Sequence, residues 1–165
     1  TAFQVDEPIQ ASLHILGPEL DDKKLHIVSR SDPPDISIVG DKRRLTRLLI
    51  NLLSNAIKFS PERGRIYVST TLLRGNGGPG NRVLVCVEDE GAGIPAEELP
   101  RLFDRFYSRD QGSLGTGTGL GLPYCKLVAE AHHGKIWAEN RSDGGFGVSV
   151  LLPLNTEERP ESYAT

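Results

Sequence analysis

A run of glycines directly ahead of a predicted helix constrains this chain more than any other feature. Gly115, Gly117, Gly119 and Gly121 alternate with other residues, and an apolar amphipathic segment follows at once. Glycines in that place leave backbone N–H groups open to anionic oxygens, and the helix N-terminus adds a favourable dipole. The GxGxG spacing is neither the GxGxxG dinucleotide fingerprint nor a GxxxxGK[ST] phosphate loop. A flexible linker is the alternative, and the helix that follows favours a phosphate-binding loop instead.

Composition limits the function further. The 165 residues are 25% charged and 38% hydrophobic, as in one ordinary globular domain. The net charge of −3 argues against a nucleic-acid-binding surface, and the cluster of Arg43, Arg44 and Arg47 is more simply a solvated helix face. No apolar run is long enough to span a bilayer and no signal peptide is visible. We therefore expect a cytoplasmic segment without membrane contact. Because the sequence contains no methionine, we also expect it to be part of a longer polypeptide.

Hydrophobic periodicity predicts the elements of the fold. Helical spacing covers residues 5–20, 41–58 and 119–132, and alternating spacing predicts strands at 25–29, 36–39, 65–73, 82–88, 135–139 and 147–152. Asp41 is the expected N-cap of the second helix, Pro95 opens a short helix, and Gly134 is the expected C′ residue of the last. Residues 1–154 are predicted to form one domain, followed by a disordered tail at 155–165. Helices and strands mix without strict alternation, which predicts an α+β two-layer sandwich.

The predicted helix at 41–58 carries two faces. Its apolar face consists of Leu45, Leu48, Leu49, Leu52, Leu53 and Ile57. Arg47, Asn51, Asn55 and Lys58 share a separate stripe. A solvated helix edge is the alternative interpretation, but asparagine prefers caps and turns. Two asparagines one turn apart in a leucine-rich helix therefore indicate carboxamides kept for binding.

Asp89 follows a strand whose alternate residues are valines. Val83, Val85 and Val87 fall on one face, so Asp89 ends an apolar row and is predicted to point into the protein. A carboxylate there is costly unless it accepts hydrogen bonds. Either it caps the turn before Gly91 or it receives a donor from a ligand. Cys86 and Cys125 lack CxxC spacing and are expected to be small buried residues in a reducing compartment.

The segments 51–59, 89–95 and 115–122, in this order, resemble the ATP-binding boxes of sensor histidine kinases. These belong to the superfamily that includes gyrase, heat-shock chaperones and MutL. The resemblance covers the chain from about residue 3 to Pro153. It implies the Bergerat ATP-binding fold, an α+β sandwich in which helices cover one face of a mixed sheet. It also implies ATP and Mg²⁺ as cofactors.

The resemblance implies a role for each box. Asn55 would bind Mg²⁺ through its amide oxygen, and Lys58 would approach the phosphates. Asn51 completes the catalytic set and stands where ATPase members carry a glutamate base. Because an amide cannot activate water near neutral pH, the sequence favours a kinase over a hydrolase.

Asp89 would accept the adenine amine, with Ile94 packed on the ring. The implied nucleotide contacts are Phe59, Asp89, Gly91, Gly93, Ile94, Arg105, Phe106, Arg109, Gly117, Thr118, Gly119, Leu120, Gly121 and Leu122. Residues 102–107 resemble the F box of the family, which ends at Tyr107. Two residues depart from the family pattern: Ser108 follows Tyr107 where a basic residue is usual, and Phe146 stands where many relatives carry Thr or Ser.

The chain lacks a phosphoacceptor box. His14, His26, His132 and His133 all have the wrong neighbours, and the last two are expected to mark the basic end of a helix. The resemblance therefore implies transfer of the ATP γ-phosphoryl group to a histidine on a separate helical dimerisation and phosphoacceptor domain of the parent protein. A response regulator would be the next partner. A serine kinase of the superfamily, an ATPase and a non-catalytic docking module are the alternatives.

Overall fold

The computed structural model describes residues 1–75, 80–104 and 121–155. Its elements in chain order are β1 (Ala2–Gln4), α1 (Asp6–Ile15), α2 (Gly17–Asp22), β2 (His26–Asp32), β3 (Ser37–Val39), α3 (Lys42–Phe59), β4 (Arg65–Leu73), β5 (Arg82–Asp89), a 3₁₀ helix (Ala96–Arg101), α4 (Gly121–Ala131), β6 (Lys135–Asn140) and β7 (Phe146–Pro153). No helix in the described ranges has the length and apolar character needed to cross a membrane.

Five strands form one mixed sheet in the order β2-β4-β5-β7-β6. Strands β2 and β4 are parallel, and the other neighbours are antiparallel, including the predicted β4–β5 hairpin. Strands β1 and β3 pair separately as a small antiparallel sheet. The α+β prediction is confirmed.

The core lies between the five-stranded sheet and the helices. All six predicted apolar residues of α3 are buried, and so are Val83, Val85 and Val87 of β5. The alternate residues of β5, among them Cys86 and Glu88, are half-buried on the opposite face of the sheet. Helices therefore cover one face, as predicted, and Cys86 is not the fully buried residue expected from the sequence.

The prediction of one helix over residues 5–20 was wrong in one respect, because this segment contains two helices. Helix α1 ends at Ile15, and α2 begins at Gly17 with Pro18 in its first turn. Proline cannot continue the hydrogen bonding of the preceding helix, so the chain turns at Leu16. The predicted apolar positions still reach the core, since Ile9, Leu16 and Leu20 are buried.

Both ends of α3 are held by side chains. Asp41 is the N-cap, as predicted, and its Oδ1 accepts the Arg44 N–H at 3.1 Å. That hydrogen bond lowers the pKa of Asp41 from its ordinary value. At the other end the Lys23 Nζ donates to the carbonyl oxygens of Ile57, Lys58 and Ser60 at 2.7, 3.0 and 2.9 Å. Lys23 thereby satisfies carbonyls that a helix C-terminus leaves without an intrahelical partner.

The end of α4 corrects the prediction for Gly134. His133 takes the left-handed conformation, with φ 60°, and its N–H donates to the Glu130 carbonyl at 2.9 Å. The Gly134 N–H donates to the Ala129 carbonyl at 2.8 Å. These two bonds form a Schellman motif with His133 at C′ and Gly134 one residue later.

His132 lies at the end of a helix, as predicted, but it does not serve there as a basic residue. It is buried, its Nε2 accepts the Asp41 N–H at 3.0 Å, and its Nδ1 lies 2.8 Å from the Val128 carbonyl. An Nε2 that accepts leaves Nδ1 as the donor, so the ring is the neutral tautomer. His132 therefore joins the end of α4 to the start of α3.

Candidate nucleotide site

The polar stripe of α3 meets the first turn of α4. Asn51 and Asn55 are half-buried and Lys58 is exposed. The Asn51 Nδ2 donates to the carbonyl of Gly121, the first residue of α4, at 3.5 Å. The start of the helix that follows the glycine run is thus placed beside Asn51, one of the two predicted carboxamides.

Cys125 lies behind Asn51 in the interface of α3 and α4. Its thiol is fully buried and donates to the Leu48 carbonyl at 3.6 Å. Burial raises the pKa of Cys125 to about 12, and a hydrogen bond with the Asn51 side chain opposes part of that rise. The thiol therefore stays protonated near neutral pH, which makes it a packing residue and not a nucleophile.

Asp89 points into the protein, as predicted. Its residue is only 2% exposed, and its Oδ1 accepts the Gly91 N–H at 2.8 Å. One carboxylate oxygen thus makes the Asx turn that the sequence offered as an alternative. The turn fixes the direction of the carboxylate at the end of β5.

The turn after Asp89 packs against the last residue of α3. A side chain on Gly91 would overlap the carbonyl oxygen of Phe59, so a residue without a Cβ is needed at this approach. The Lys58 Nζ lies 5.3 Å from the centre of the Phe59 ring. Asp89, Phe59 and Lys58 are therefore brought together where the sheet meets the end of α3.

Gly93 and Ile94 complete this segment. Gly93 has φ 77°, which L side chains rarely adopt. Ile94 is 6% exposed, and its backbone N–H and carbonyl both bond to the side chain of Asn140, at 2.9 and 2.7 Å. Asn140 ends β6 and was not predicted from the sequence.

The phosphate-loop prediction falls partly within the described residues. Gly121 begins α4 with open space on its Cβ side, and Leu122 is buried against the core. The predicted contacts Arg105, Phe106, Arg109, Gly117, Thr118, Gly119 and Leu120 lie outside the described residues. Phe146, which departs from the family pattern, is buried and pairs with Asp89 across β5 and β7.

The donors near the polar stripe suit a magnesium ion that keeps its phosphate and water ligands. Within the described ranges, no three His, Cys, Asp or Glu side chains are grouped to hold a metal. The candidate donor is instead the neutral amide of Asn55, which is half-buried on the polar stripe. Mg²⁺ commonly takes one or two protein oxygens and completes its shell with substrate phosphates and water, so this chemistry fits Mg²⁺ bound together with a nucleotide.

Arg141, like Asn140, was not predicted from the sequence to lie near the site. Its Nε pairs with the Glu88 carboxylate at 2.9 Å, its Nη1 donates to the Asp89 carbonyl at 3.4 Å, and its guanidinium lies 4.9 Å from the centre of the Tyr67 ring. The composition of residues 140–145 indicates only a turn. Nothing local signals that this turn reaches the end of β5.

A sequence model of the family described as "Histidine kinase-, DNA gyrase B-, and HSP90-like ATPase" matches residues 40–156. The sensor histidine kinase WalK of Bacillus subtilis is 35% identical over 130 residues, which are 77% of this chain and 20% of WalK. The sensor protein ChvG of Rhizobium meliloti is 42% identical over 142 residues, which are 81% of this chain and 24% of ChvG. This chain thus spans a quarter or less of either relative.

Solved structures agree with the sequence comparison. The nucleotide-free catalytic domain of histidine kinase ThkA superimposes with a TM-score of 0.83 at 29% identity, covering 96% of this chain and 98% of that one. ThkA in complex with the response regulator protein TrrA gives a TM-score of 0.80 at 27% identity, covering 96% of this chain and 43% of that one. The end of α3 packs against the Asp89 turn at Gly91, and Asn51 bonds to the start of α4. With this arrangement and these matches, the chain belongs to the histidine kinase-, DNA gyrase B- and HSP90-like ATPase family, in its sensor histidine kinase branch.

Proposed function

We propose that residues 1–154 bind Mg-ATP and transfer its γ-phosphoryl group to a histidine on a separate helical domain. One observation carries the proposal: α3 contacts the Asp89 turn at its C-terminus and the start of α4 at Asn51. Three segments far apart in the sequence thus border one region. Each has the donor or acceptor chemistry that a different part of a magnesium nucleotide requires.

The base would bind at the end of β5. Asp89 accepts the exocyclic amine of adenine, since its buried carboxylate is directed by the Gly91 N–H. The backbone at Gly91 and Gly93 permits close approach, while Ile94 and Phe59 supply apolar contact. Guanine carries an oxygen where adenine carries its amine, so the same carboxylate would repel it.

The phosphates would lie along the polar stripe of α3. Asn55 holds the metal through its amide oxygen, and Lys58 adds a positive charge; the metal neutralises phosphate charge when bound. Asn51 has no basic oxygen to deprotonate water, so transfer is favoured over hydrolysis. The lone pair of a neutral imidazole nitrogen attacks the γ-phosphorus. The bond between the γ-phosphorus and the β,γ-bridging oxygen breaks, which releases ADP. Positioning supplies most of the rate.

The partners follow from the same proposal. The acceptor histidine would belong to a dimerisation and phosphoacceptor domain of the parent protein, which passes the phosphoryl group to a response regulator. Two facts support this: the chain spans only part of its relatives, and a solved neighbour was crystallised with a response regulator.

Calorimetric titration with a non-hydrolysable ATP analogue tests the site first. We expect magnesium-dependent binding by the native domain and a loss of at least tenfold in affinity for Asp89→Asn, because the amide group presents a donor to the adenine amine. Asp35→Asn, which removes the same charge at an exposed position, should bind as the native domain does. Absence of binding by the native domain would favour the docking module.

Phosphoryl transfer tests the reaction. The domain is mixed with a phosphoacceptor domain from a related sensor kinase and labelled ATP. Label on the acceptor that is lost in acid and kept in base indicates phosphohistidine. Acid-stable label would identify the serine kinase alternative, and rapid release of inorganic phosphate by this domain alone would identify an ATPase.

A further inference from the structure

The Asn140 side chain bonds to both the backbone N–H and the backbone carbonyl of Ile94, in the segment 89–94 that is predicted to contact adenine. Its Oδ1 accepts the Ile94 N–H at 2.9 Å, and its Nδ2 donates to the Ile94 carbonyl at 2.7 Å. The two residues are 46 positions apart. A side-chain amide here makes the pair of bonds that a neighbouring strand would make.

The turn between β6 and β7, which begins after Asn140, contacts the other end of the segment 89–94. Arg141 follows Asn140, and its Nη1 donates to the Asp89 carbonyl at 3.4 Å. The Asn140 Oδ1 also lies 2.7 Å from the position that a Cβ on Gly93 would take, so the fit at this point is close. Residues Asp89 and Ile94 are therefore both tied to the turn between β6 and β7.

Only an amide satisfies this arrangement. A carboxylate could accept the Ile94 N–H but would set a second oxygen against the Ile94 carbonyl, and alanine would make neither bond. Asn140 itself is exposed, so it contributes little to the buried core. Its contacts instead fix how far the Ile94 backbone stands from the Asp89 carboxylate.

We propose that Asn140 is a positioning residue for adenine recognition. It acts through Ile94, holding that side chain at the distance from Asp89 at which both face one purine ring. The inference rests on the proposed function, since it concerns the same nucleotide site. It assigns adenine selectivity partly to a residue of β6 that does not itself contact the base.

The test compares Asn140→Asp and Asn140→Ala with Asn81→Asp, a matched control. Asn81 is exposed and its Oδ1 accepts the Gly75 N–H at the far end of the β4–β5 hairpin, an acceptor role that aspartate keeps. Calorimetry with Mg-ATP and Mg-GTP gives affinity and the fraction of active sites. The NMR chemical shift of the Ile94 amide in the ligand-free proteins reports directly on its hydrogen bond to Asn140.

We expect both Asn140 variants to bind Mg-ATP about tenfold more weakly, with Mg-GTP affinity and active fraction unchanged. The Ile94 resonance should move in both and stay in Asn81→Asp. Native ATP affinity in the Asn140 variants, or equal weakening for ATP and GTP, would overturn the inference and leave the proposed function standing. If the native domain binds no Mg-ATP, both fall together.

Discussion

Replacing Lys23 by methionine should loosen the last turn of α3. The ammonium group donates to three carbonyl oxygens between 2.7 and 3.0 Å, those of Ile57, Lys58 and Ser60. Methionine keeps much of the aliphatic length and removes the charge and all three donors. No neighbouring residue in the sequence indicates this cap, so the substitution examines a contact that the tertiary structure alone provides.

The expected cost can be worked from these contacts. A hydrogen bond from a charged donor contributes about 1.5–3 kcal/mol, and a cation at a partly buried helix C-terminus up to about 2 kcal/mol. The three bonds do not add in full, because Lys23 is half-buried and water can reach the freed carbonyls. We expect the free energy of unfolding to fall by about 2 kcal/mol, which lowers Tm by roughly 4–8 °C for a domain of this size.

Urea unfolding followed by circular dichroism measures the loss. Lys24→Met is the matched control, since it removes the same charge from an exposed neighbour and should change stability by less than about 0.5 kcal/mol. Lys23→Arg should recover part of the loss because it keeps a donor group. Equal stability of the Lys23→Met and Lys24→Met variants would refute the reasoning.

Three further substitutions examine the α4 region. His132→Leu should lower the free energy of urea unfolding by about 1–2 kcal/mol, since the part-buried Asp41 N–H loses its acceptor, and His132→Gln should cost less because its amide oxygen can accept that bond. His133→Gly should raise the free energy of unfolding by about 1 kcal/mol, because the left-handed backbone at this position suits glycine; an unchanged value would argue against the φ of 60°. The pKa of Cys125 is raised from 9.0 to about 12 in the folded state, so between these values the unfolded chain loses a proton that the folded chain keeps. Stability should therefore fall with rising pH by up to about 1.4 kcal/mol per unit, and Cys125→Ala should lack this component of the slope in unfolding measured from pH 8 to 11.

Much of the fold could be predicted because the apolar residues that become buried recur at regular spacing along the chain. The leucine face of α3 and the valine row of β5 have the spacing of a helix and a strand, and both are buried as predicted. Local chemistry also placed the Asp41 cap and the inward direction of Asp89. These features depend on residues within a few positions of each other, which periodicity and turn chemistry can describe.

The contacts that arrange the site depend on chain topology instead. Lys23 meets the end of α3 across 34 residues, Asn140 meets Ile94 across 46, and His132 meets Asp41 across 91. A single lysine, asparagine or histidine has no periodic pattern, so the sequence by itself could not pair them. It determined which faces are buried and the order of the segments predicted to bind a nucleotide. Only the tertiary structure decided which polar side chains hold those segments together, because strand order and helix packing bring distant residues within hydrogen-bonding distance.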